Sequence, residues 1–332
     1  MRKTLEIAVA SGKGGVGKST VSSTLLLYLK KRGYDVIGID ADADAPNLHL
    51  IFGIKEWEKE EIYSDAWVSE IDYSKCDDCG ICFSVCPFGA ISLKEGRYSI
   101  NPVICEGCLT CSLACPQKAI KRKRTNRGII KFSRTSYGIP LWSSELSPGR
   151  PNSGKLVTEL KNRAKEMSGE GTITVVDCAA GIGCQVISSL SGASAALLVA
   201  EPTPASLSDL KRIHTIAKQF SLPSALIINK HDINEEFVVE ILKYANEENI
   251  DVIGMIPYDD HVPIAMAEMK PLVEVYPEAP ASRALMEIAE KVEDRLVKNW
   301  EEWSKSHRPS KRLKYEPIII KPSQMDLGGT TA

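Results

Sequence analysis

The stretch SGKGGVGKST, residues Ser11–Thr20, satisfies the phosphate-binding pattern G-x-x-x-x-G-K-[ST]. The apolar run LEIAVA precedes it, and KSTVSSTLLLYLKKRG follows it with the composition of a helix. In a strand, glycine loop and helix of this kind, backbone N–H groups turn inward around an anion at the positive end of the helix. Lys18 adds a charge between the phosphates, and the Ser19 hydroxyl suits Mg²⁺. The loop therefore predicts a nucleotide site formed by Gly12, Lys13, Gly14, Gly15, Val16, Gly17, Lys18, Ser19 and Thr20.

Further apolar segments of strand length alternate with helical segments along the chain. They are YDVIGID, TITVVD, SAALLVAE, SALIINK and DVIGMIP. This alternation is typical of an α/β protein with a doubly wound, mainly parallel sheet, as expected of a P-loop nucleotide hydrolase. A final helix is predicted over residues 281–303, and its apolar face comprises Leu285, Ile288, Ala289, Val292, Leu296, Trp300 and Trp303.

The alternation is interrupted after the second strand, where the composition becomes acidic and then rich in cysteine. Because surface loops tolerate insertions, we predict a small domain inserted into the α/β domain. The two parts of the nucleotide-hydrolase domain are predicted at residues 1–60 and 125–303, with the insert at 61–124. Residues 304–332 are predicted to form a loosely held tail.

The bulk composition limits the classes of partner. The chain has 332 residues and a formal net charge of −2, so no global field attracts nucleic acid or an acidic membrane. No stretch approaches the roughly 18 apolar residues of a membrane span, and the first residues lack the apolar run of a signal peptide. We expect a cytoplasmic protein with neither a nucleic-acid nor a membrane partner.

Carboxylates follow two of the predicted strands. Asp40, Asp42 and Asp44 alternate in IDADADAPNL, and alternate residues share a face if the segment is extended. Asp177 ends another strand and is followed by the glycine-containing turn CAAGIG. Such positions suit a Mg²⁺ site and a loop that senses the γ-phosphate. The alternative is an ordinary pair of strand-end turns, in which Asp and Gly are common.

Eight of the ten cysteines fall within the window Cys76–Cys115. They form two copies of C-x₂-C-x₂-C-x₃-C-P, which begin at Cys76 and Cys105, 29 residues apart. A chain without an export signal is not expected to use so many cysteines in disulfides. The spacing resembles that of bacterial ferredoxins with two [4Fe–4S] clusters.

The ferredoxin resemblance implies a small α+β, ferredoxin-like insert and also implies its ligand sets. In two-cluster ferredoxins the fourth cysteine of each run binds the other cluster. One [4Fe–4S] cluster is therefore assigned to Cys76, Cys79, Cys82 and Cys115. The second is assigned to Cys86, Cys105, Cys108 and Cys111. Zinc is the alternative, because paired C-x₂-C units also form zinc sites, but zinc would leave two cysteines of each run unexplained.

The motifs KGGVGKS, DADADAPN and DCAAGIG together resemble the deviant Walker A, switch I and switch II segments of the MinD/Mrp/ParA family of P-loop ATPases. This family includes the nitrogenase iron protein, and the resemblance covers most of the chain outside the insert and the tail. With the cysteine runs, the chain resembles Mrp-like ATPases that carry an inserted two-cluster ferredoxin domain. The resemblance implies ATP and Mg²⁺ as cofactors, slow hydrolysis and a nucleotide-dependent homodimer.

The same resemblance implies roles for individual residues. Lys13 would reach across the dimer to the partner's phosphates, as an arginine finger does. Lys18 would bind the phosphates of its own chain, and Asp42 would orient the attacking water. Mg²⁺ would be held, directly or through water, by Ser19, Asp40 and Asp177. The base would lie against Asn229 and the backbone at Pro257, and family membership favours adenine although NKHD resembles the guanine-binding N-K-x-D.

Two other groups of residues admit more than one interpretation. Cys178 and Cys184, beside switch II, are expected to be small buried apolar residues, or else to face a twin across a dimer axis and bind a bridging cluster or redox partner. A basic run is expected to be the solvated face of a hairpin, with docking of an acidic protein as the alternative. It comprises Lys121, Arg122, Lys123, Arg124, Arg127, Lys131 and Arg134.

Three functions compete on this evidence. The first is an ATP-hydrolysing iron–sulfur protein in which dimer closure controls electron transfer from the ferredoxin module to a redox partner. The second is an Mrp-like carrier that delivers clusters to an acceptor protein, although no C-x-x-C pair follows Cys184. The third, a MinD/ParA-like positioning ATPase, would require a membrane-binding helix or a DNA-binding surface. The sequence favours electron transfer, because all eight cysteines can be assigned to complete ligand sets.

Overall fold

The computed structural model describes residues 4–64, 66–126, 128–147 and 153–309. Arg127 of the basic run and the tail beyond residue 309 therefore lie outside the described residues. The strands are β1 (Leu5–Ser11), β2 (Val36–Asp40), β3 (Lys59–Tyr63), β4 (Ala66–Ile71), β5 (Ile91–Lys94), β6 (Arg97–Ile100), β7 (Ile120–Thr125), β8 (Gly128–Arg134), β9 (Pro140–Leu146), β10 (Ile173–Ala180), β11 (Ala195–Ala200), β12 (Ser224–Asn229) and β13 (Asp251–Ile256).

The helices connect these strands and cover both faces of the main sheet. They are α1 (Lys18–Lys31), α2 (Leu48–Ile51), α3 (Ile81–Ser84), α4 (Thr110–Ala114), α5 (Ser153–Met167), α6 (Cys184–Leu190), α7 (Pro204–Gln219), α8 (Glu235–Glu247), α9 (His261–Ala267), α10 (Leu272–Val275), α11 (Pro280–Val292) and α12 (Trp300–Ser306). A 3₁₀ turn, His231–Ile233, and a π-helical segment, Glu293–Lys298, complete the regular structure.

The main sheet has nine strands in the order β13-β12-β11-β1-β10-β2-β9-β8-β3. Neighbours from β13 to β9 pair in parallel, and β8 and β3 extend one edge with antiparallel pairs. One apolar core packs α1 and α11 against one face, and a second packs α5, α6, α7 and α8 against the other. The predicted fold class, a doubly wound and mainly parallel α/β sheet, is confirmed. Strands buried on both faces explain why their sequences are apolar runs without alternation.

The C-terminal helical region keeps its predicted apolar face but is not one helix. All seven predicted face residues, from Leu285 to Trp303, are buried. The chain passes from α11 through the π-helical segment into α12. Glu293 begins that segment, and its carboxylate accepts hydrogen bonds from the hydroxyls of Tyr28 and Tyr34. These bonds tie the segment to α1 and to the residues that follow it.

The insert lies between β3 and β8, and its bounds differ from the prediction. β3 pairs with β8 through residue 63, so residues 61–63 belong to the main sheet rather than to the insert. β7 ends at Thr125, one residue past the predicted boundary at 124. Two antiparallel ribbons, β4–β7 and β5–β6, and the short helices α3 and α4 surround the cysteines. The basic run is also not one hairpin, because β7 pairs with β4 whereas β8 pairs with β3 and β9.

Candidate nucleotide site and cysteine cavities

The glycine loop joins the end of β1 to the first turn of α1, as the motif requires. Gly17 stands at the helix start with φ of 97°, and a Cβ there would lie 2.4 Å from Nδ2 of Asn229. A Cβ on Gly12 would lie 2.5 Å from the backbone oxygen of Asp209 on α7. Both positions therefore need glycine, for the backbone conformation at Gly17 and for close packing at both.

A cavity of about 380 Å³ opens above this loop, in the size range of ligand pockets. The phosphate end is lined by the loop, Asp42 and Asp177. The far end is lined by Pro257, Val262, Pro263 and Met266. A polar end with backbone N–H groups and an apolar end suit a nucleoside triphosphate, whose phosphates and base need these two environments.

The two loop lysines point to different places. Lys18 is buried, and its Nζ donates to Oγ of Ser11 at 3.0 Å, beside the cavity that it lines. Lys13 does not line this cavity. Its side chain is 45% exposed, and Nζ lies 3.6 Å from the carboxylate of Glu201, which also accepts a hydrogen bond from Lys230 at 2.6 Å. Lys13 is thus accessible, and its ion pair with Glu201 is a weak interaction because the lysine is exposed.

Asp177 lies where the sequence places a metal-site carboxylate. It lies within β10, which continues to Ala180, and pairs with Asp40 of β2. It lines the cavity, and Oδ1 accepts a hydrogen bond from Ser22 at 3.0 Å. Burial raises the pKa of Asp177 to about 6, against the opposing effects of Ser19 and Lys18. A buried carboxylate beside Ser19 is suited to hold Mg²⁺ directly or through water.

Asp40 lies deeper in the protein than Asp42 and Asp177. It is fully buried, does not line the cavity, and accepts hydrogen bonds from the backbone N–H groups of Asp42, Asn47 and Leu48. Burial, followed by repulsion from Asp177, raises its pKa well above the usual value. Asp40 therefore organises the switch I loop, because both of its carboxylate oxygens accept backbone hydrogen bonds from that loop.

The three alternating aspartates do not share a face, because the chain leaves the extended conformation after β2. Asp42 lines the cavity and is half-buried, which raises its pKa. Asp44 is exposed, and Oδ2 accepts a hydrogen bond from Nε2 of Gln185 at 2.6 Å. Oε1 of the same Gln185 accepts from the backbone N–H of Ala43 at 2.9 Å. Gln185, at the start of α6, thus ties switch II to switch I, and no sequence signal marks it.

At the base end of the cavity, the Asn and Asp side chains of NKHD make hydrogen bonds within the chain. Nδ2 of Asn229 donates to the carbonyl of Val16 at 2.8 Å, so this side chain supports the phosphate loop. Oδ1 of Asp232 accepts from the backbone N–H of Tyr258 at 2.8 Å. Asn229 and Pro257 both line the cavity, but the donor of Asn229 and the acceptor of Asp232 are engaged within the chain.

The eight clustered cysteines line two small cavities in two sets of four. The first cavity is lined by Cys76, Cys79, Cys82 and Cys115. The second cavity is lined by Cys86, Cys105, Cys108 and Cys111. In each run the second cysteine is exposed and the third is buried, so the two runs have the same environment. Four soft sulfur donors around one cavity suit an iron–sulfur cluster.

Backbone N–H groups point at several of these sulfurs. Ala90 donates to Sγ of Cys86 at 3.4 Å, and Ala119 donates to Sγ of Cys115 at 3.3 Å, at equivalent places in the two runs. Ser69 donates to Sγ of Cys105 at 3.3 Å. Such bonds are among the factors that tune cluster potentials. Within the described residues, no group of three or more His, Cys, Asp or Glu side chains lies close enough together to hold a single metal ion.

Cys178 and Cys184 differ from each other. Cys178 is buried in the core, where burial raises the pKa of its thiol to about 12. This position fits the expectation of a small apolar residue. Cys184 is exposed at the first position of α6, between the exposed side chains of Ile182 and Ile187, and therefore does not fit that expectation.

Comparison with known proteins identifies the family. The CobQ/CobB/MinD/ParA nucleotide binding domain matches residues 7–272, which include the phosphate loop, both switches and the insert. The chain belongs to this family. It is a P-loop ATPase of the MinD/ParA type, for which ATP and Mg²⁺ are the implied ligands.

Alignments with archaeal relatives cover most of the chain. An uncharacterized protein of Methanocaldococcus jannaschii is 33% identical over 291 residues, which cover 87% of this chain and 97% of the relative. The iron–sulfur cluster carrier protein of Pyrococcus abyssi is 30% identical over 306 residues, which cover 88% of this chain and 86% of the carrier.

Solved structures of other proteins have a similar fold. The septum site-determining protein MinD of Pyrococcus horikoshii, complexed with Mg-ADP, has a TM-score of 0.54 at 19% identity. The match covers 87% of this chain and 96% of that protein. Among the described residues, no helix combines the length and apolar character needed to cross a bilayer.

Proposed function

We propose that this ATPase carries iron–sulfur clusters and delivers them to an acceptor protein under the control of ATP binding and hydrolysis. The observation that carries the proposal is the pair of four-cysteine cavities on an insert of a MinD/ParA-type ATPase domain. The 30% identity to cluster carrier proteins over most of the chain supports delivery above electron transfer. In this function the clusters are cargo, and the eight cysteines hold them until release.

The exposure of the cysteines suggests where release begins. Cys79 and Cys108 are exposed, whereas Cys82 and Cys111 are buried among Ile71, Ile91 and Ile120. An acceptor thiolate can approach the exposed member of each set first, while the buried member keeps its bond. Nucleotide control enters through switch I, because β2 leads directly into the loop that carries Asp42 and then into the insert.

Cluster transfer is the direct test. Anaerobically reconstituted protein is incubated with an apo-enzyme whose activity requires a [4Fe–4S] cluster, in the presence of an iron chelator. We expect the acceptor to regain activity, and MgATP to change the transfer rate in the parent protein but not in Lys18→Ala. Chelator-sensitive reactivation would mean that free iron leaked out, and no reactivation with or without MgATP would contradict delivery.

Electron transfer is the second candidate, because each cavity supplies a complete set of four cysteines. A fully ligated cluster is stable, since its release exposes four thiolates. For this function, clusters should stay bound during the transfer assay, and their reduction potentials should differ with and without MgATP. A shift of 30 mV in a one-electron potential equals about 0.7 kcal/mol, which one altered hydrogen bond to sulfur can supply.

Asp42 is proposed to orient the water that attacks the γ-phosphate, since it lines the phosphate end of the cavity. Asp42→Ala should therefore retain ATP binding and accumulate an ATP-loaded dimer, with hydrolysis reduced about 10²–10⁴-fold. The measurements are phosphate release and size-exclusion chromatography with ATP. Asp44→Ala is the matched control, because Asp44 is exposed and directed at Gln185, and it should leave hydrolysis within a few-fold of the parent. Parental hydrolysis in Asp42→Ala would contradict this role.

A further inference from the structure

The insert is an internal repeat, so differences between its halves carry information. Residues 29 positions apart are equivalent beyond the cysteines themselves. Ile71 and Ile100 are one such pair, Ile91 and Ile120 are another, and all four belong to the same apolar cluster. Both halves adopt the same fold. If equivalent exposed positions hold different residue types, the fold therefore does not explain the difference.

The rims of the two cavities show such a contrast. Phe88 lines the second cavity, and Val103 and Ile104 come directly before its Cys105 in the chain; each of the three residues is 45–48% exposed. The equivalent positions in the other half hold the polar residues Gln117, Ser74 and Lys75. The first cavity is lined by a different exposed apolar residue, Ile81. Exposed apolar side chains grouped on one rim are typical of a surface that contacts another protein.

The ribbon β4–β7 adds an aromatic residue beside the same rim. The backbone N–H of Ser69 donates to Sγ of Cys105, which lines the second cavity. The backbone of Trp67 packs so closely on Gly107 that a Cβ on this glycine would lie 2.2 Å from the Trp67 carbonyl oxygen. Trp67 is therefore fixed next to the Cys105–Cys111 loop.

Two arginines stack on this tryptophan and have no acidic partner among the described residues. The guanidinium of Arg122 lies 3.6 Å from the ring centroid of Trp67, and that of Arg124 lies 5.2 Å away. Arg stacked on Trp and exposed at its edge is a common composition of interface anchors. In the other ribbon, the positions equivalent to Trp67, Arg122 and Arg124 hold Gly96, Leu93 and Glu95.

The two lysines of β7, unlike its arginines, form ion pairs with acidic residues. Lys121 forms an ion pair with Asp72 at 3.0 Å, and Lys123 forms one with Glu70. These lysines alternate with the arginines along β7, so they lie on the opposite face of the ribbon. The ion pairs thus neutralise the positive charge of the lysines, whereas the charge of the two arginines can pair with another molecule. Among the described residues, Glu106 is the single acid that lines the second cavity.

We propose that Trp67, Arg122 and Arg124, together with the apolar rim of the second cavity, form the docking surface for an acidic partner protein. The partner's surface would combine carboxylates, which pair with the two arginines, with an apolar centre that covers Phe88, Val103 and Ile104. This inference rests on the proposed function, because the partner is the protein that exchanges clusters or electrons with the second cavity.

The test uses a purified ferredoxin of strongly negative net charge as the probe, and iron-loaded full-length protein. Arg122→Gln/Arg124→Gln is compared with Lys121→Gln/Lys123→Gln, which removes the same charge from the same strand on the opposite face. At low ionic strength, we expect the arginine variant to weaken binding about tenfold and the lysine variant to change it less than about twofold. The binding of the parent should weaken as salt is added.

Several outcomes would overturn the docking surface. They are equal weakening in both variants, no binding of the ferredoxin by the parent, and tighter binding of a cytochrome c of positive net charge. Phe88→Gln, which copies the residue at the equivalent position of the first half, should also weaken binding without altering the iron content. If the parent binds ferredoxin through the arginines but transfers neither clusters nor electrons to any acceptor, the docking surface stands and the proposed function fails.

Discussion

Lys18→Ala is expected to lose ATP binding, whereas Lys13→Ala is expected to bind ATP and to lose nucleotide-dependent dimerisation and hydrolysis. Lys18 is buried at the phosphate end of the cavity, so its loss removes a charge that no neighbour replaces. Lys13 lies outside the cavity against Glu201 and contributes little to binding within its own chain. A cation delivered from a partner subunit acts only on the transition state.

The two lysine substitutions are expected to change different quantities, ATP affinity for Lys18 and turnover for Lys13. Lys18→Ala should weaken ATP affinity about a hundredfold or more, as for the truncation of one partner of a buried charge pair. Lys13→Ala should lower turnover by about 10³–10⁵, the range known for an arginine finger, with an affinity near that of the parent. Calorimetry with MgATP and phosphate release at saturating ATP measure the two quantities.

Lys211→Ala is the control for the lysine variants, because Lys211 lies on α7, does not line the cavity, and places its ammonium over the ring of Tyr244. It should leave both affinity and turnover unchanged. An equal loss of ATP affinity in Lys13→Ala and Lys18→Ala would contradict the distinction. Restoration of turnover by mixing Lys13→Ala with Asp42→Ala chains would support action across a dimer, because each mixed dimer then contains one complete site.

Local motifs explain why much of the nucleotide site is predictable from sequence. The phosphate loop needs glycine at fixed positions for steric reasons that operate within a few residues, as at Gly17. Asp177 was expected at the end of a strand, but β10 continues to Ala180, so this carboxylate lies within the strand and beside Asp40. The alternation of apolar strands with helices was sufficient for the fold class.

Other features depend on tertiary contacts that no local pattern encodes. Asp40 and Asp44 were expected to share a face with Asp42, but backbone hydrogen bonds to Asp40 curl the loop after β2. Gln185 has no sequence signal, since its function comes from its contacts with a loop about 140 residues earlier. The stacking of Arg122 on Trp67 likewise arises from pairing between the two ends of the insert.

Iron-loaded protein should contain about eight iron and eight sulfide ions per chain, as two [4Fe–4S] clusters require. Cys111→Ser removes a buried ligand of the second cavity and should leave about four of each. Cys184→Ser is the matched control, because Cys184 is exposed and lies outside both cavities, and it should retain all eight. Loss of iron in Cys184→Ser only when the protein is dimeric would instead indicate a cluster at the dimer axis. Zinc without sulfide in the parent would contradict the cluster assignment.

Double variants test which cysteines share a cluster. Cys86 comes from the first run in sequence but lines the second cavity with Cys111. Cys86→Ser/Cys111→Ser should therefore damage one cluster and leave about four iron ions, no fewer than Cys111→Ser alone. If Cys86 instead served the first cavity, the same pair would damage both clusters, and little iron would remain. Cys82→Ser/Cys115→Ser gives the reciprocal experiment, because these two residues line the first cavity. Circular dichroism of the iron-free proteins checks that the comparison is made between equally folded chains, since the large sheet and its two cores do not include these cysteines.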